Sequence, residues 1–167
     1  MAQYGSYNQR PANQTRDKGR YRGKDEKKRA VLPEITAEDV PEEYVDAADQ
    51  VMRQLIQPSS GENSRPSFSI TTSKLRNILT LVSDIYHVES RRTAETILPE
   101  SYAKLQMLRI RVVYEAGRDE KNVKPFIQKS RLLSYIKGIG KDRKKMIRFA
   151  HYMEALVAYH RFYGGRD

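Results

Sequence analysis

The sequence predicts an all-α protein, a small single-domain bundle of about five helices behind a disordered, basic N-terminal tail. Three observations carry that expectation. Apolar residues recur at three- and four-residue spacing from Tyr44 onward, as in helices with one buried stripe. No segment keeps the two-residue alternation of a strand. The 167 residues suit one domain with an ordinary core, and no self-similarity appears at the roughly 20–50-residue periods of solenoids.

Residues 1–29 are rich in Gln, Asn, Gly, Tyr and Arg and contain no Leu, Ile, Val or Phe. Such a segment cannot bury enough surface to offset the entropy of ordering. The tail is therefore bounded at residues 1–32 and the helical domain at 33–167. Arg20, Tyr21 and Arg22 interleave charge and rings as a loose RNA-contacting arm would, although a purely solubilising tail has the same composition.

The helical pattern starts at Thr36. Asp39 can cap a helix, Pro41 suits a first turn, and Glu42 and Glu43 favour its dipole. Tyr44, Ala48, Val51, Met52 and Leu55 then share a face, giving a helix over 36–56. Residues 57–69 read as a linker from their Pro, Ser and Gly. The second helix opens at Thr71 or Thr72, and Leu75, Ile78, Leu79, Val82, Ile85 and Tyr86 fall within about 120° of arc. The third runs from Pro99 to Ala116 with Gly117 as its expected C-cap. It carries two apolar faces: Leu105, Leu108, Val112 and Ala116 on one, Ala103, Met107, Ile110 and Tyr114 on the other. A helix apolar on both sides predicts the buried centre of a bundle. Over 123–137 the stripe shifts from Val123, Phe126 and Ile127 to Leu132, Leu133 and Ile136, which predicts a kink or two short helices. Gly138 and Gly140 end that element, Asp142 caps the last helix, and Gly164 and Gly165 stop it after Tyr163.

Composition excludes much chemistry. With no cysteine there are no thiolate zinc sites, iron–sulfur clusters, disulfides or thiol nucleophiles. No apolar run approaches the roughly 18 residues of a membrane span, and the start of the chain lacks a signal-peptide stretch, which points to the cytoplasm. The net charge of +10 is uneven: +6 over residues 1–32, −7 over 33–62, +2 over 63–120 and +9 over 121–167. Such asymmetry suggests a polyanion at the basic parts and permits the acidic stretch to dock on a neighbouring copy.

Gly138-Ile139-Gly140-Lys141 lacks the strand and glycine spacing of a phosphate loop and reads as a helix–helix turn. His151 and Glu154 stand at metal-compatible spacing without further ligands, and the carboxylates of 34–62 lie along a helix start and its solvent face. No metal, cofactor or catalytic residue is expected. The stronger constellation is basic. Lys141, Arg143, Lys144, Lys145 and Arg148 crowd the start of the last helix, and Lys141, Lys145, Arg148, Tyr152, Tyr159 and Tyr163 fall on one strip. The cations can track phosphates; the tyrosines can offer flat faces to sugars or bases, or pack against a neighbouring helix. Lys74 and Arg76 occupy the first turn of the second helix, where their charge opposes the dipole but, with free N–H groups, makes an anion site.

Three stretches are familiar together: Ile70-Thr71-Thr72-Ser73-Lys74-Leu75-Arg76-Asn77, then Val113-Tyr114-Glu115-Ala116-Gly117-Arg118, then Phe149 with Tyr152-Met153-Glu154-Ala155-Leu156-Val157-Ala158-Tyr159 and Gly164-Gly165. In this order and spacing, over roughly residues 36–167, the chain resembles the small subunit of the type III-A CRISPR–Cas effector, the Csm complex. The resemblance implies a non-enzymatic subunit of antiviral defence. It also implies that several copies stack into a filament lining the channel that holds guide (CRISPR) RNA paired to target RNA. In that family, target cutting is assigned to the repeated backbone subunit, and DNA cleavage and cyclic oligoadenylate synthesis to the large subunit. By motif, backbone-contact roles pass to Lys74, Arg76 and Arg118, and less directly to Lys141, Arg143, Lys144, Lys145 and Arg148. Arg118 has a plainer alternative, pairing with Glu115 one turn away. Electrostatic scaffolding is the mechanism these residues suit, since base pairing already reads the sequence. A free-standing, non-specific RNA-binding or RNA-chaperone protein is the alternative, and the basic tail fits it.

Overall fold

The computed structural model describes Met1, residues 34–57 and residues 67–166. The expected disordered tail over residues 1–32, and most of the linker over 57–69, lie outside the described residues. Among the described residues of the unit that begins at Glu34, six helices follow one another: α1 Tyr44–Leu55, α2 Thr72–Glu89, α3 Pro99–Arg118, α4 Val123–Lys129, α5 Leu132–Ile139 and α6 Arg143–Phe162. Among the described residues there is no strand. Two isolated bridges remain, Gln57 with Ser67 and Thr96 with Asp142.

The centre of the unit is α6, which packs on α1, α2 and α5. Met146, Phe149, Met153 and Leu156 are fully buried along it, and Asp142 caps it by accepting from the Lys145 amide at 3.0 Å. Its end is a Schellman turn. The Gly165 amide donates to His160 O at 2.8 Å and the Gly164 amide to Arg161 O at 3.1 Å, with Gly164 at φ +92°. His160 is buried beneath that turn, its Nε2 2.9 Å from Ile70 O, which ties the last helix to the entry of α2. There Thr71 caps α2 by accepting from the Lys74 amide at 3.3 Å.

The shifting stripe over 123–137 is two short helices. Ser130, buried, turns its hydroxyl back to Phe126 O at 2.6 Å and ends α4. Arg131 then takes the left-handed conformation, φ +53°, and redirects the chain so that Leu132 and Ile136 face the same core as Phe126.

Three expectations are corrected. The first helix begins at Tyr44 rather than Thr36, and Asp39 does not cap it; the Glu43 side chain at the N-cap makes no capping bond. Residues before a proline avoid the helical region, and here Val40 precedes Pro41 and is buried. The third helix continues through Gly117 to Arg118, with Asp119 as its C-cap. Nor is that helix the buried centre. Leu105, Leu108 and Val112 face the core, whereas Met107, Ile110 and Tyr114 are 63%, 60% and 59% exposed. α3 lies at the edge: among the described elements it packs on α2, α4 and α5, and none of these covers its second face.

The acidic stretch before α1 docks on its own chain. Glu38 pairs with Arg131, Asp39 with Lys145 at 2.7 Å, and Glu42 with Arg148 at 3.6 Å. Lys137 Nζ donates to Ile35 O at 2.7 Å, and the Glu38 amide donates to Ser134 O at 3.1 Å. Each exposed pair contributes no more than about 1 kcal/mol. The segment is held as much by Val40 in the core and by close approach to α5, where a Cβ on Gly138 would stand 1.9 Å from Glu38 O.

That approach yields a paired prediction. Gly138→Ala should lower stability by about 1–3 kcal/mol, because backbone must move to admit one methyl group. Gly117→Ala, with nothing within 4 Å of the new Cβ, should raise it by up to about 1 kcal/mol. Thermal unfolding of the two variants checks this; equal melting temperatures would contradict the packing described.

Candidate nucleic-acid interface

The loop over residues 90–98 folds α3 back along α2, so the start of α2 meets the end of α3. The loop is fixed from inside by Glu89, fully buried at the end of α2. Its carboxylate accepts from the Leu98 amide at 2.9 Å and from Arg92 at 2.6 Å. Burial pushes this carboxyl up, but bonds from Ser101, Leu98 and Arg92 outweigh that and hold it below its ordinary range.

With the helices so placed, Lys74, Arg111 and Arg118 converge on a groove of about 390 Å³ between α2 and α3, with Asn77, Thr80 and Glu115 also in its wall. Lys74 pairs with Asp119, and Glu115 is shared between Arg118 at 2.9 Å and Arg111 at 3.6 Å. The plain alternative for Arg118, a pair with Glu115, is therefore made, yet the arginine stays open to solvent: the Arg118 side chain is 57% exposed and that of Arg111 61%. Arg118 also lies 5.9 Å from the Tyr114 ring centre. Three cations against two carboxylates leave the groove positive. Arg118 sits at a helix C-terminus, where a cation is favoured, whereas Lys74 opposes the α2 dipole and is compensated by Asp119. Hydrogen bonding from Lys74, with help from Asn122, holds the Asp119 carboxyl below its usual range although burial works the other way. Guanidinium groups, an ammonium, an amide and a hydroxyl in one exposed trough can hold anionic oxygens such as those of a phosphodiester.

Arg76 is exposed but lies about 160° around α2 from Lys74, outside the groove. The cluster at the start of α6 divides. Lys141 and Lys144 are exposed, and Lys141 Nζ stands 5.5 Å from the Tyr102 ring centre. Arg143 clamps the α2–α3 loop by donating to Ala94 O and, at 3.1 Å, to Glu89 O. Lys145 and Arg148 hold the acidic segment. The tyrosines of the strip also turn toward the fold, Tyr152 buried and Tyr159 and Tyr163 half-buried. Tyr152 is buried, its hydroxyl donating to Ser130 O at 3.1 Å, and burial pushes its phenol well up. Tyr163 stacks on Tyr159 and donates to Asp49 of α1. Packing against a neighbouring helix is thus the use made of Tyr152 and Tyr163.

Arg111 was missed by the sequence reading, although a signal existed: Arg111, Glu115 and Arg118 stand at i, i+4 and i+7 on one helix face. No group of three or more His, Asp or Glu side chains suited to a metal occurs among the described residues.

A groove framed by cations at the edge of a helical bundle, with much of the remaining charge tied internally, defines a small basic all-α module that presents charge from a rigid frame. The particular family follows from comparison: the Csm2 type III-A family model matches residues 49–166, and the chain belongs to that family. The "CRISPR system Cms protein Csm2" of Streptococcus thermophilus is 39% identical over 126 residues, 75% of this chain and 95% of the relative. The protein of the same description from Mycobacterium tuberculosis is 36% identical over 129 residues, 77% and 97% of the two chains. That from Enterococcus italicus is 35% identical over 96 residues, 56% and 68%. The family resemblance read from the sequence is correct, and the matched range contains every residue of the groove.

The Lys74–Asp119 contact predicts a pH dependence. A carboxyl whose folded value is lowered contributes stability above its unfolded pKa, near 3.9, and loses it as pH falls through the folded value. The melting temperature of the native chain should exceed that of Asp119→Asn at pH 6–7, and the gap should close as pH drops below about 4. A gap independent of pH would show that the carboxylate charge is not what matters.

Proposed function

We propose that this chain is the non-catalytic small subunit of a type III-A CRISPR RNA-guided effector in cytoplasmic antiviral defence. Residues 33–167 are its working domain. It stacks in several copies beside the backbone and large subunits and holds the backbone of guide RNA paired to target RNA without reading its sequence. The observation that supports this most is the Lys74–Arg111–Arg118 groove, joined to membership of the Csm2 type III-A family. Cations on a rigid frame neutralise phosphates equally well for any sequence, and in such an effector base pairing supplies the specificity. One copy neutralises a few phosphates and binds weakly; several copies in register multiply that contact through effective concentration. Arg76, Lys141 and Lys144, exposed outside the groove, add further positive charge for the same kind of contact. Arg143, Lys145 and Arg148 act mainly by fixing the frame, as their bonds to loop carbonyls and to the acidic segment suggest.

The test is a reconstituted effector carrying Lys74→Gln and Arg118→Gln in every copy. Target-RNA affinity should fall by a similar factor for unrelated guide–target pairs. The slope of log affinity against log salt should lessen by about one per contact removed. Assembly should persist. Unchanged affinity and slope would remove the groove from the RNA path. Tight binding by the isolated chain, indifferent to the other subunits, would favour a free-standing RNA-binding protein instead. Arg143→Ala should act differently, lowering the melting temperature of the free chain.

A further inference from the structure

We propose that the outward apolar face of α3 is the seat for α1 of a second copy of this chain, in a head-to-tail contact. The proposal deepens the stacking part of the reading above and rests on it.

Met107, Ile110 and Tyr114 stand at i, i+3 and i+7, each more than half exposed, on a helix whose opposite face already fills the core. Together with Leu81 of α2 they line a shallow trough of about 610 Å³. Contiguous large apolar side chains on a helix edge mark a contact surface, because water is the one neighbour they gain nothing from.

Charge selects the occupant. Lys104 and Arg111 stand on the trough's rim against one acid, Asp84. The matching surface is therefore apolar and framed by carboxylates. The chain's first 32 residues, at +6, have the wrong sign, and an RNA backbone lacks the apolar bulk. The outer face of α1 has both properties. Val45 is 45% exposed beside Glu43 and Asp46, which are exposed, and Glu42, whose side chain is 81% exposed despite its long pair with Arg148. Phe162, 79% exposed, adjoins Tyr163, whose hydroxyl donates to Asp49 one turn from Val45.

The two surfaces are on separate helices, with α4 packed on both. α1 packs on α6, α6 on α2, and α2 on α3, while α1 and α3 do not pack together. A chain with a base-framed trough on one side and an acid-framed knob on another joins its copies heterologously, and such joints propagate instead of closing into a dimer. The trough shares Leu81 and Arg111 with the anion groove, so seating each copy also sets the spacing of successive grooves. Glu38 and Asp39 are engaged within the chain and Glu42 only at 3.6 Å, whereas Glu43 and Asp46 are exposed and available to meet a neighbour.

Because the chain has no cysteine, the contact can be trapped cleanly. Single variants Met107→Cys and Val45→Cys, both at exposed positions, are mixed as full-length chains and oxidised with diamide, alone and in the reconstituted effector. Copies per effector are counted by native mass spectrometry. The proposal expects a mixed Met107→Cys/Val45→Cys disulfide, a ladder of multimers from the double variant, and little product from either single variant. Abundant Met107→Cys homodimer would overturn it in favour of a symmetric α3–α3 contact. Crosslinking of Met107→Cys to a different effector subunit, in a backbone carrying a matching cysteine scan, would overturn it as well. Several copies per effector without the mixed product would refute this contact and leave the stacking reading intact. A single copy per effector would refute both.

Discussion

The burial of α6 is the constraint on which the rest of this fold depends. Its apolar stripe occupies the middle of the bundle, and α1, α2 and α5 exist as folded elements because they have that stripe to pack on. Yet the same helix opens with Arg143, Lys144, Lys145 and then Arg148, cations gathered at the positive end of its dipole. The arrangement persists because compensation comes from several directions: Asp142 at the cap, Asp39 and Glu42 from the segment before α1, and the carbonyls of Ala94 and Glu89 from the α2–α3 loop. An acidic stretch far away in sequence is, in space, the counter-charge of the last helix.

This division of charge bears on function. Where α6 meets the acidic segment, cations serve the fold; at the α2–α3 edge, Arg111 and Arg118 stay more than half exposed and open to a ligand. The two helices that wall the groove are fixed by interior contacts. Glu89 and Arg143 set the loop that turns α2 into α3, and the Thr71 cap with His160 beneath it sets the first turn that carries Lys74. A charged surface held this rigidly loses little entropy on meeting a polymer. That suits a frame which lends charge to a structure specified elsewhere.

Much of this was legible in the chain itself. The stripes of α2 and α6, the Pro99 start, the Asp142 cap and the break near residue 130 are local patterns, and each is found where periodicity and capping chemistry put it. The family was legible too, from three short runs. The failures share a cause. The start of α1 and the sidedness of α3 depend on what lies across from them: Val40 sinks into the core instead of continuing a helix, and Met107 faces outward because no helix covers it. The fate of each cation is equally tertiary. Lys144 and Lys145 are neighbours in sequence, one exposed and one bound to Asp39, and nothing local distinguishes them. Arg111 was overlooked because its partner in the groove, Lys74, is a helix away.

The most direct measurement is photo-crosslinking of the assembled effector to 4-thiouridine-labelled target RNA, with the attached peptides identified by mass spectrometry. The account predicts adducts concentrated on residues 74–80 of α2 and 111–118 of α3, with the buried rings of α6 silent. Adducts confined to α1 or to the Tyr152–Tyr163 side of α6, with none beside the α2–α3 groove, would contradict it.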